Sequence, residues 1–369
     1  MMDKYFYRNI YNLIDSRVIR VAAINLLRIL RRPYYRIGLD TNNLCNLRCI
    51  MCYLSINNFS QKPEVMSIDF FTTLAKDFFN KVAFLDLSCS YEPLMTKNFI
   101  DYLRIAKKHC PGHISICTNG ILLTEKIIDD VFKENLLNEI TISIDGLTPQ
   151  TYNSIRVGGD FTKLIKILEL IRYGSIHYHT KIILRLNYTM MRRNIEELNK
   201  LHDFARAFCF DQVQLRHLRL ISEFNELYDE SLYYYQDLSD RVLNKVINDF
   251  ESDSMTSLMT PPLFGSYQFS NAKKKNCAYP WFNFTINCYG DVNLCNIGYI
   301  GNLRNCNLYT LERSIRVKSI RKELIYGDSN KLCSSCFFVN DLTDIKKRSS
   351  FIREDINLDT IKMSLSDHK

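Results

Sequence analysis

The chain has 369 residues, of which 46% are hydrophobic and 24% charged, a balance that allows a large core and more than one domain. The net charge of +8 is modest and the basic residues are scattered, so nucleic-acid binding is not expected. The charged N-terminus does not suit a signal peptide, and no apolar run is long enough to span a membrane, so a cytoplasmic chain is expected. In such a chain, 13 cysteines indicate metal binding or catalysis rather than disulfides.

Residues 1–35 are predicted to form a basic helical segment. Its apolar positions are Val18, Ala22, Leu26, Ile29 and Leu30, and several arginines lie between and after them. An amphipathic helix of this kind can lie on a membrane surface. Packing against its own domain is the commoner role, and it is the one expected here.

Residues 36–220 alternate between strand-like and amphipathic helical segments. The strand candidates are RIGLDT (36–41), VAFLDLSC (82–89), HISICT (113–118), EITISI (139–144), KIILRLNY (181–188) and QVQLRHL (212–218). Six strands that alternate with helices predict an α/β fold with a parallel sheet. In barrels of this type, functional groups collect at the C-terminal ends of the strands.

The remainder of the chain divides by composition into three parts. Residues 221–276 are polar and are predicted to form a helical connector. Residues 277–340 are rich in cysteine and are predicted to form a small α+β domain. Residues 341–369 are predicted to be a polar tail.

Three cysteines with the spacing C-x3-C-x2-C follow the first strand: Cys45, Cys49 and Cys52. Thiolates are typical ligands of iron–sulfur clusters. Three of them would hold three irons of a [4Fe-4S] cluster and leave the fourth iron open for a cofactor or substrate. A structural zinc site is the alternative, but it needs four ligands, and neither a second cysteine pair nor a histidine pair lies nearby.

The run CNLRCIMC resembles the cluster motif of radical S-adenosylmethionine (SAM) enzymes. This resemblance implies a partial (β/α)6 TIM-like barrel, in which Cys45, Cys49 and Cys52 are the catalytic cluster ligands. It also implies that SAM binds the open iron and is cleaved to a 5′-deoxyadenosyl radical. The motif departs from the family in one respect, since Met51 stands where an aromatic residue usually precedes the third cysteine.

The same resemblance extends to the candidate SAM contacts. SCSYEPLM (88–95) is similar to the family's Gly-Gly-Glu-Pro motif, although Ser90 and Tyr91 replace the two glycines. The resemblance implies contacts with the SAM ammonium, ribose and carboxylate, and the four candidate residues are Glu92, Ser143, Arg156 and Tyr53. Four further strand residues are weaker candidates for the pocket, because side chains alternate along a strand and only half of the four would face inward: Arg185, Asn187, Arg216 and His217.

The cysteine-rich segment resembles the SPASM/twitch extension of the same superfamily, through a Gly-x4-Cys hairpin at Gly290 and a final Cys-x2-Cys pair. The resemblance implies one auxiliary [4Fe-4S] cluster held by Cys277, Cys295, Cys333 and Cys336. A zinc site built from these cysteines is the alternative. Two further cysteines, Cys288 and Cys306, would then be spare thiols. Cys89 is expected to be inert, with a catalytic role as its alternative.

These observations predict a radical SAM enzyme that abstracts hydrogen from a sugar-like small molecule or a peptide. The auxiliary cluster would accept the electron left on the substrate, and a flavodoxin or ferredoxin would donate electrons. Only 44 residues precede Cys45, so no leader-binding domain is expected there. The alternative is a cluster-holding or zinc-holding scaffold that no longer cleaves SAM. The substrate, the electron donor and the oligomeric state do not follow from the sequence.

Overall fold

The structure is a computed structural model that describes residues 16–55, 62–88, 90–218, 225–261, 263–266, 277–295 and 298–326. Its strands are β1 (Tyr35–Leu39), β2 (Arg48–Cys49), β3 (Val82–Asp86), β4 (His113–Thr118), β5 (Glu139–Ser143), β6 (Arg156–Val157), β7 (Ile183–Met190), β8 (Gln212–His217), β9 (Ser257–Met259), β10 (Asn283–Ile286), β11 (Asp291–Leu294) and β12 (Gly298–Asn302). All six predicted strands are confirmed as β1, β3, β4, β5, β7 and β8.

The helices in these ranges are α1 (Arg17–Ile29), α2 (Ile68–Phe78), α3 (Phe99–His109), α4 (Glu125–Lys133), α5 (Pro149–Ile155), α6 (Phe161–His177), α7 (Leu201–Ala207), α8 (Gln236–Glu251), α9 (Leu308–Glu312) and α10 (Ile315–Tyr326). Several of these helices start at a residue whose side chain caps the first turn. Thr124, for example, accepts a hydrogen bond from the Ile127 amide at the start of α4. None of the helices in the described ranges is long and apolar enough to cross a membrane.

One sheet organises the fold, in the order β12-β11-β10-β1-β3-β4-β5-β7-β8-β9. The seven strands from β1 to β9 in this order pair in parallel, which confirms the α/β class and the partial barrel. Strand β10 of the cysteine-rich segment also pairs in parallel with β1, with Ile37 opposite Phe284. The hairpin that follows residue 277 therefore extends the barrel sheet.

The two faces of the sheet differ in polarity because side chains alternate along each strand. Apolar side chains such as Ile116 and Ile140 face the helices, where they line a small cavity with residues of α3, α4 and α6. The opposite face carries polar groups. At the N-terminal end of the interior, Glu139 lies 3.0 Å from Arg185 and 3.3 Å from His113. Arg185 is therefore an ion-paired residue of this end of the interior.

The turn between β10 and β11 requires glycine at position 290. Gly290 has a φ of 89°, and a Cβ atom there would lie 2.9 Å from Cζ of Phe70. The predicted tight turn at this residue is confirmed. Its amide donates to the Asn287 carbonyl at 2.9 Å, and Phe284 pairs with Leu294 farther along the hairpin.

Gly290→Ala is expected to lower the free energy of unfolding by roughly 1–3 kcal/mol, because it adds backbone strain and a contact with Phe70. Gly298→Ala is the matched control, since Gly298 also has a positive φ, of 107°, but has open space around it. Urea unfolding of both variants separates the cost of backbone strain from the cost of the contact with Phe70. An equal loss in the two variants would show that Phe70 moves aside without cost.

Candidate functional site

The loop that carries the three cysteines is anchored by a two-stranded sheet. Cys49 lies in β2 and is paired with Arg156 of β6, and the Ile50 amide donates to the Ile155 carbonyl at 2.9 Å. Within the loop, the Cys52 amide donates to the Cys49 carbonyl at 3.0 Å. The loop after β1 is thus fixed to the segment that follows β5, at the C-terminal end of the barrel.

The three thiols of this loop are partly buried, and none of them forms a disulfide. The Leu47 amide lies 3.5 Å from Sγ of Cys45, as a donor to sulfur. Burial raises the pKa of Cys45, Cys49 and Cys52 above the ordinary thiol value. Metal binding deprotonates such thiols directly.

The donor chemistry of the loop fits an iron–sulfur cluster. Within the described ranges, no group of three or more His, Cys, Asp or Glu side chains is arranged to hold a single metal ion. A [4Fe-4S] cluster binds each cysteine through a different iron, so its thiolates do not have to converge on one atom. Cys45, Cys49 and Cys52 are the residues that would hold it.

A buried arginine lies against this loop. Nη1 of Arg156 is 3.8 Å from Sγ of Cys49, and Nη2 is 2.6 Å from Oδ2 of Asp145. Burial alone would lower the pKa of Arg156, but the negative charges of Asp145 and Cys49 outweigh it and raise the pKa. Nε of Arg156 is buried and has no hydrogen-bond acceptor in the described structure. A fixed positive charge therefore lies beside one of the three thiols.

Asp145 holds this arginine in place from the end of β5. Its second oxygen, Oδ1, accepts a hydrogen bond of 2.6 Å from the Thr189 amide of β7. Asn194 donates to the Asp145 carbonyl at 3.0 Å. Because the strand ends of β5 and β7 converge on one carboxylate, the position of Arg156 is set by the barrel itself.

Glu92 connects three loops at the same end of the barrel. Its carboxylate accepts from the Thr118 hydroxyl at 2.6 Å, the Asn119 amide at 2.9 Å and the Leu94 amide at 3.3 Å. Its own amide donates to the Leu44 carbonyl at 2.9 Å, next to Cys45. Burial raises the pKa of Glu92, while the hydrogen bonds work in the opposite direction. Three donors leave about one acceptor position of this carboxylate for a cation.

Ser143 and two further polar groups meet on the inner face of the sheet. Ser143 Oγ lies 3.5 Å from Sγ of Cys117, and Asn187 Nδ2 lies 3.9 Å from the same sulfur. Ser143 and Asn187 are paired residues of β5 and β7. Oδ1 of Asn187 is buried without a partner in the described structure. Of the weaker candidates, Asn187 therefore faces the interior beside Ser143.

The two candidates from β8, Arg216 and His217, lie on opposite faces of the strand. Arg216 shares the inner face with Asn187 by register, is exposed, and donates to Oε1 of Gln214 at 2.9 Å. His217 is the next residue, so alternation directs it to the other face of the strand. Its ring lies 5.0 Å from that of Phe264, and burial lowers its pKa to about 4. Of the two β8 candidates, Arg216 is therefore the one on the inner face.

Tyr91, which replaces a glycine of the family pattern, lies against the candidate SAM residue Tyr53. The rings of Tyr53 and Tyr91 meet edge to face, with 6.3 Å between their centroids. The Ser90 amide donates to Asp40 at 3.1 Å. Met51 packs with a separate hydrophobic cluster that includes Ile155. Cys89 lies outside the described residues.

The structure describes two of the four proposed auxiliary ligands. Cys295 directly follows β11 with a φ of 52°, and Cys277 precedes β10 of the same hairpin. Cys333 and Cys336 lie outside the described residues. Cys288 is buried in the turn, and Sγ of Cys306 lies 3.6 Å from the Asn302 carbonyl oxygen.

Sequence reasoning missed several parts of this site. It did not identify β2, β6 or the role of Asp145 in holding Arg156. Two-residue strands have no periodic pattern to detect. The sequence does offer one signal for Asp145, because it stands in SIDG at the end of a predicted strand.

Comparison with known proteins gives a family match over the region that carries the site. Residues 39–205 match the Radical SAM superfamily model. A curated relative is the probable GTP 3′,8-cyclase of Methanocaldococcus jannaschii, which is 27% identical over 212 residues, or 56% of this chain and 65% of that protein. The chain thus spans slightly less than two thirds of this relative's length.

Solved structures share the fold over a longer stretch. Streptococcus suis SuiB bound to S-adenosylmethionine aligns with a TM-score of 0.64 and 15% identity, over 88% of this chain and 77% of SuiB. SuiB bound to the precursor peptide SuiA aligns with a TM-score of 0.62 and 16% identity, over 88% of this chain and 75% of SuiB. The protein anSMEcpe with bound AdoMet aligns with a TM-score of 0.59 and 16% identity, over 90% of this chain and 99% of anSMEcpe. Residues 39–205 match the radical SAM superfamily model, and this region of the chain is a radical SAM domain.

Proposed function

We propose that the protein is a radical SAM enzyme that cleaves SAM and abstracts a hydrogen atom from a polar substrate. The observation that carries this proposal is the loop of Cys45, Cys49 and Cys52, which is fixed by β2 and β6 beside the charged Arg156. When bound and reduced, a [4Fe-4S] cluster supplies the electron that splits SAM into methionine and a 5′-deoxyadenosyl radical. The three cysteines would hold that cluster.

Arg156 and Glu92 would orient the amino acid part of SAM. Arg156 can donate its unpartnered Nε to the SAM carboxylate, while Asp145 keeps the guanidinium in place. Glu92 has about one acceptor position left, which suits the SAM ammonium. Both groups are buried, which strengthens their electrostatic interactions with a ligand.

Ser143 and Tyr53 would contact the remainder of SAM. The Ser143 hydroxyl lies on the inner face of the barrel and can hydrogen-bond the ribose. Tyr53 follows Cys52 and packs against Tyr91, so its ring flanks the loop that would bind the cluster. The Tyr91 ring takes up space where the family has glycine, and its contact with Tyr53 fixes that edge of the site.

The substrate would enter the polar interior of the barrel. Asn187 and Arg216 lie on the inner face and favour a ligand with hydrogen-bonding or anionic groups. A sugar-like small molecule or a peptide meets this requirement, and the peptide-bound structure of SuiB supports the second. We further propose a cytoplasmic enzyme that receives electrons from a flavodoxin or ferredoxin.

An auxiliary [4Fe-4S] cluster held by Cys277, Cys295, Cys333 and Cys336 would accept the electron left on the substrate, which makes the net reaction an oxidation. The hairpin of β10 and β11 supports this assignment, because it joins the barrel sheet beside β1 and is flanked by Cys277 before β10 and Cys295 directly after β11. We propose domain boundaries of 36–220 for the barrel, 221–276 for the connector, 277–340 for the cluster segment and 341–369 for the tail. The connector also contributes β9, which pairs with β8 of the barrel.

The test is reduction of the anaerobically reconstituted protein with dithionite in the presence of SAM, followed by chromatography. The expected product is 5′-deoxyadenosine, formed also by the Cys277→Ala/Cys295→Ala variant, which should contain about four fewer irons per chain. A reconstituted protein that binds SAM but leaves it intact would overturn the proposal. That result would favour the scaffold alternative.

A further inference from the structure

The side of α1 that packs on the rest of the protein is not its apolar side. Ile24 is buried, and Arg28 reaches Glu312 at 3.1 Å and the Trp281 carbonyl at 3.1 Å. Arg17 also donates to the Leu324 carbonyl of α10. Arginines thus make much of the attachment, in contrast to the usual arrangement in which the apolar face of a surface helix is buried.

The apolar side of α1 faces outward. Five large side chains there are between 55% and 77% exposed: Val18, Ile19, Leu26, Ile29 and Leu30. We call these five residues the outer stripe. Their spacing along the helix places them on one side, because residues three, four, seven or eight apart share a face. The helix packs against its own domain, as expected, but these five positions are not on the packed side.

Exposed cations follow the outer stripe along the chain and also lie on α10, the helix that α1 contacts through Arg17. Two exposed arginines, Arg31 and Arg32, follow it directly. The adjacent helix α10 and the residues just before it expose four more cations, which are Arg313, Arg316, Lys318 and Lys322. The same stretch, 308–326, contains two acidic residues, and one of them, Glu312, is buried against Arg28. The surface therefore combines exposed aliphatic side chains with a net positive charge.

We propose that this surface docks on an anionic lipid membrane. The outer stripe would enter the boundary between headgroups and acyl chains, and the six cations would pair with anionic headgroups. Nucleic acid would use the cations but would leave the aliphatic side chains exposed. A second copy of the chain would bring the same positive charges face to face, because a twofold interface uses one patch on both subunits. An anionic membrane would both bury the aliphatic side chains and pair with the cations.

The experiment is vesicle flotation of the full, reconstituted protein. Phosphatidylcholine vesicles are compared with vesicles that also contain phosphatidylglycerol. We expect at least roughly tenfold more bound protein on the anionic vesicles, and loss of that excess at high salt. The Leu26→Ser/Ile29→Ser variant and the Arg31→Ser/Arg32→Ser variant should each lose most of the binding.

The matched control is Tyr173→Ser/Ile176→Ser on α6, which removes two exposed apolar side chains that are not part of the outer stripe. It should float like the wild type, and all variants should form 5′-deoxyadenosine at the wild-type rate. Equal flotation of the control and the stripe variant would overturn the proposal. So would a wild-type dimer in light scattering that the stripe variant abolishes, since a second copy would then cover the stripe. Wild-type protein that fails to float with either vesicle would overturn it as well.

Discussion

Arg156→Ala is expected to destabilise the protein by roughly 3–5 kcal/mol, because it leaves the buried carboxylate of Asp145 without its counter-charge. Asp145 is almost fully buried, and the Arg156 guanidinium lies 2.6 Å away. The variant should also fail to bind SAM, since the proposed carboxylate donor is removed. Urea unfolding and SAM titration measure the two effects separately.

A double variant distinguishes support of the fold from contact with SAM. Arg156→Met/Asp145→Asn removes both charges and keeps an acceptor for the Thr189 amide, so most of the stability should return. SAM affinity should remain at least roughly tenfold below wild type. Recovery of wild-type SAM affinity in the double variant would show that Arg156 acts on the fold alone.

The control for the single variant is Arg104→Ala. Arg104 forms an exposed ion pair of 2.6 Å with Glu134, and exposed pairs contribute about 0–1 kcal/mol. If Arg156→Ala costs no more than Arg104→Ala, then the buried pair with Asp145 does not anchor the site. The comparison therefore tests the structural half of the argument independently of activity.

Glu92→Ala should lower the free energy of unfolding by roughly 2–6 kcal/mol. It leaves the Thr118 hydroxyl and the Asn119 amide as buried donors without an acceptor, at about 1–3 kcal/mol each. Glu92→Gln keeps the shape and one carbonyl oxygen but removes the charge. It should therefore cost less stability than Ala and still weaken SAM binding by roughly tenfold to a hundredfold.

The measurements for Glu92 are thermal unfolding and SAM titration of the reconstituted protein. Thr124→Ala serves as the control, because it removes a helix cap at α4 and none of the hydrogen bonds of Glu92. That variant should lose about 1 kcal/mol and keep its SAM affinity. Wild-type SAM affinity in Glu92→Gln would refute the ammonium contact and leave Glu92 as a connector of loops.

Much of the barrel could be predicted because its signals are local. In strands such as EITIS, apolar residues either alternate with polar residues or follow one another over five positions. Turns or helices separate these strands in the sequence. The cysteine spacing also lies within eight residues of sequence. Since parallel strand ends meet at one edge, the sequence correctly placed Glu92 at the end of the barrel that carries the cysteine loop.

The rest depends on contacts between distant segments. The pairing of β10 with β1 joins residues more than 240 positions apart, and local periodicity does not specify such a partner. The ion pair of Arg156 with Asp145 and the strand pair of Cys49 with Arg156 arise only after the chain is folded. For α1, amphipathicity identified the helix but not which side would attach, because Arg28 on its inner side donates to Glu312 and to the Trp281 carbonyl.

The most direct test of the central claim is iron and sulfide content after anaerobic reconstitution, in wild type and in the Cys45→Ala/Cys49→Ala/Cys52→Ala variant. Two four-iron clusters predict about eight irons per chain in wild type and about four in the variant, with loss of 5′-deoxyadenosine formation. The same iron content in both proteins would mean that the three cysteines hold no cluster, and the radical mechanism would then be rejected.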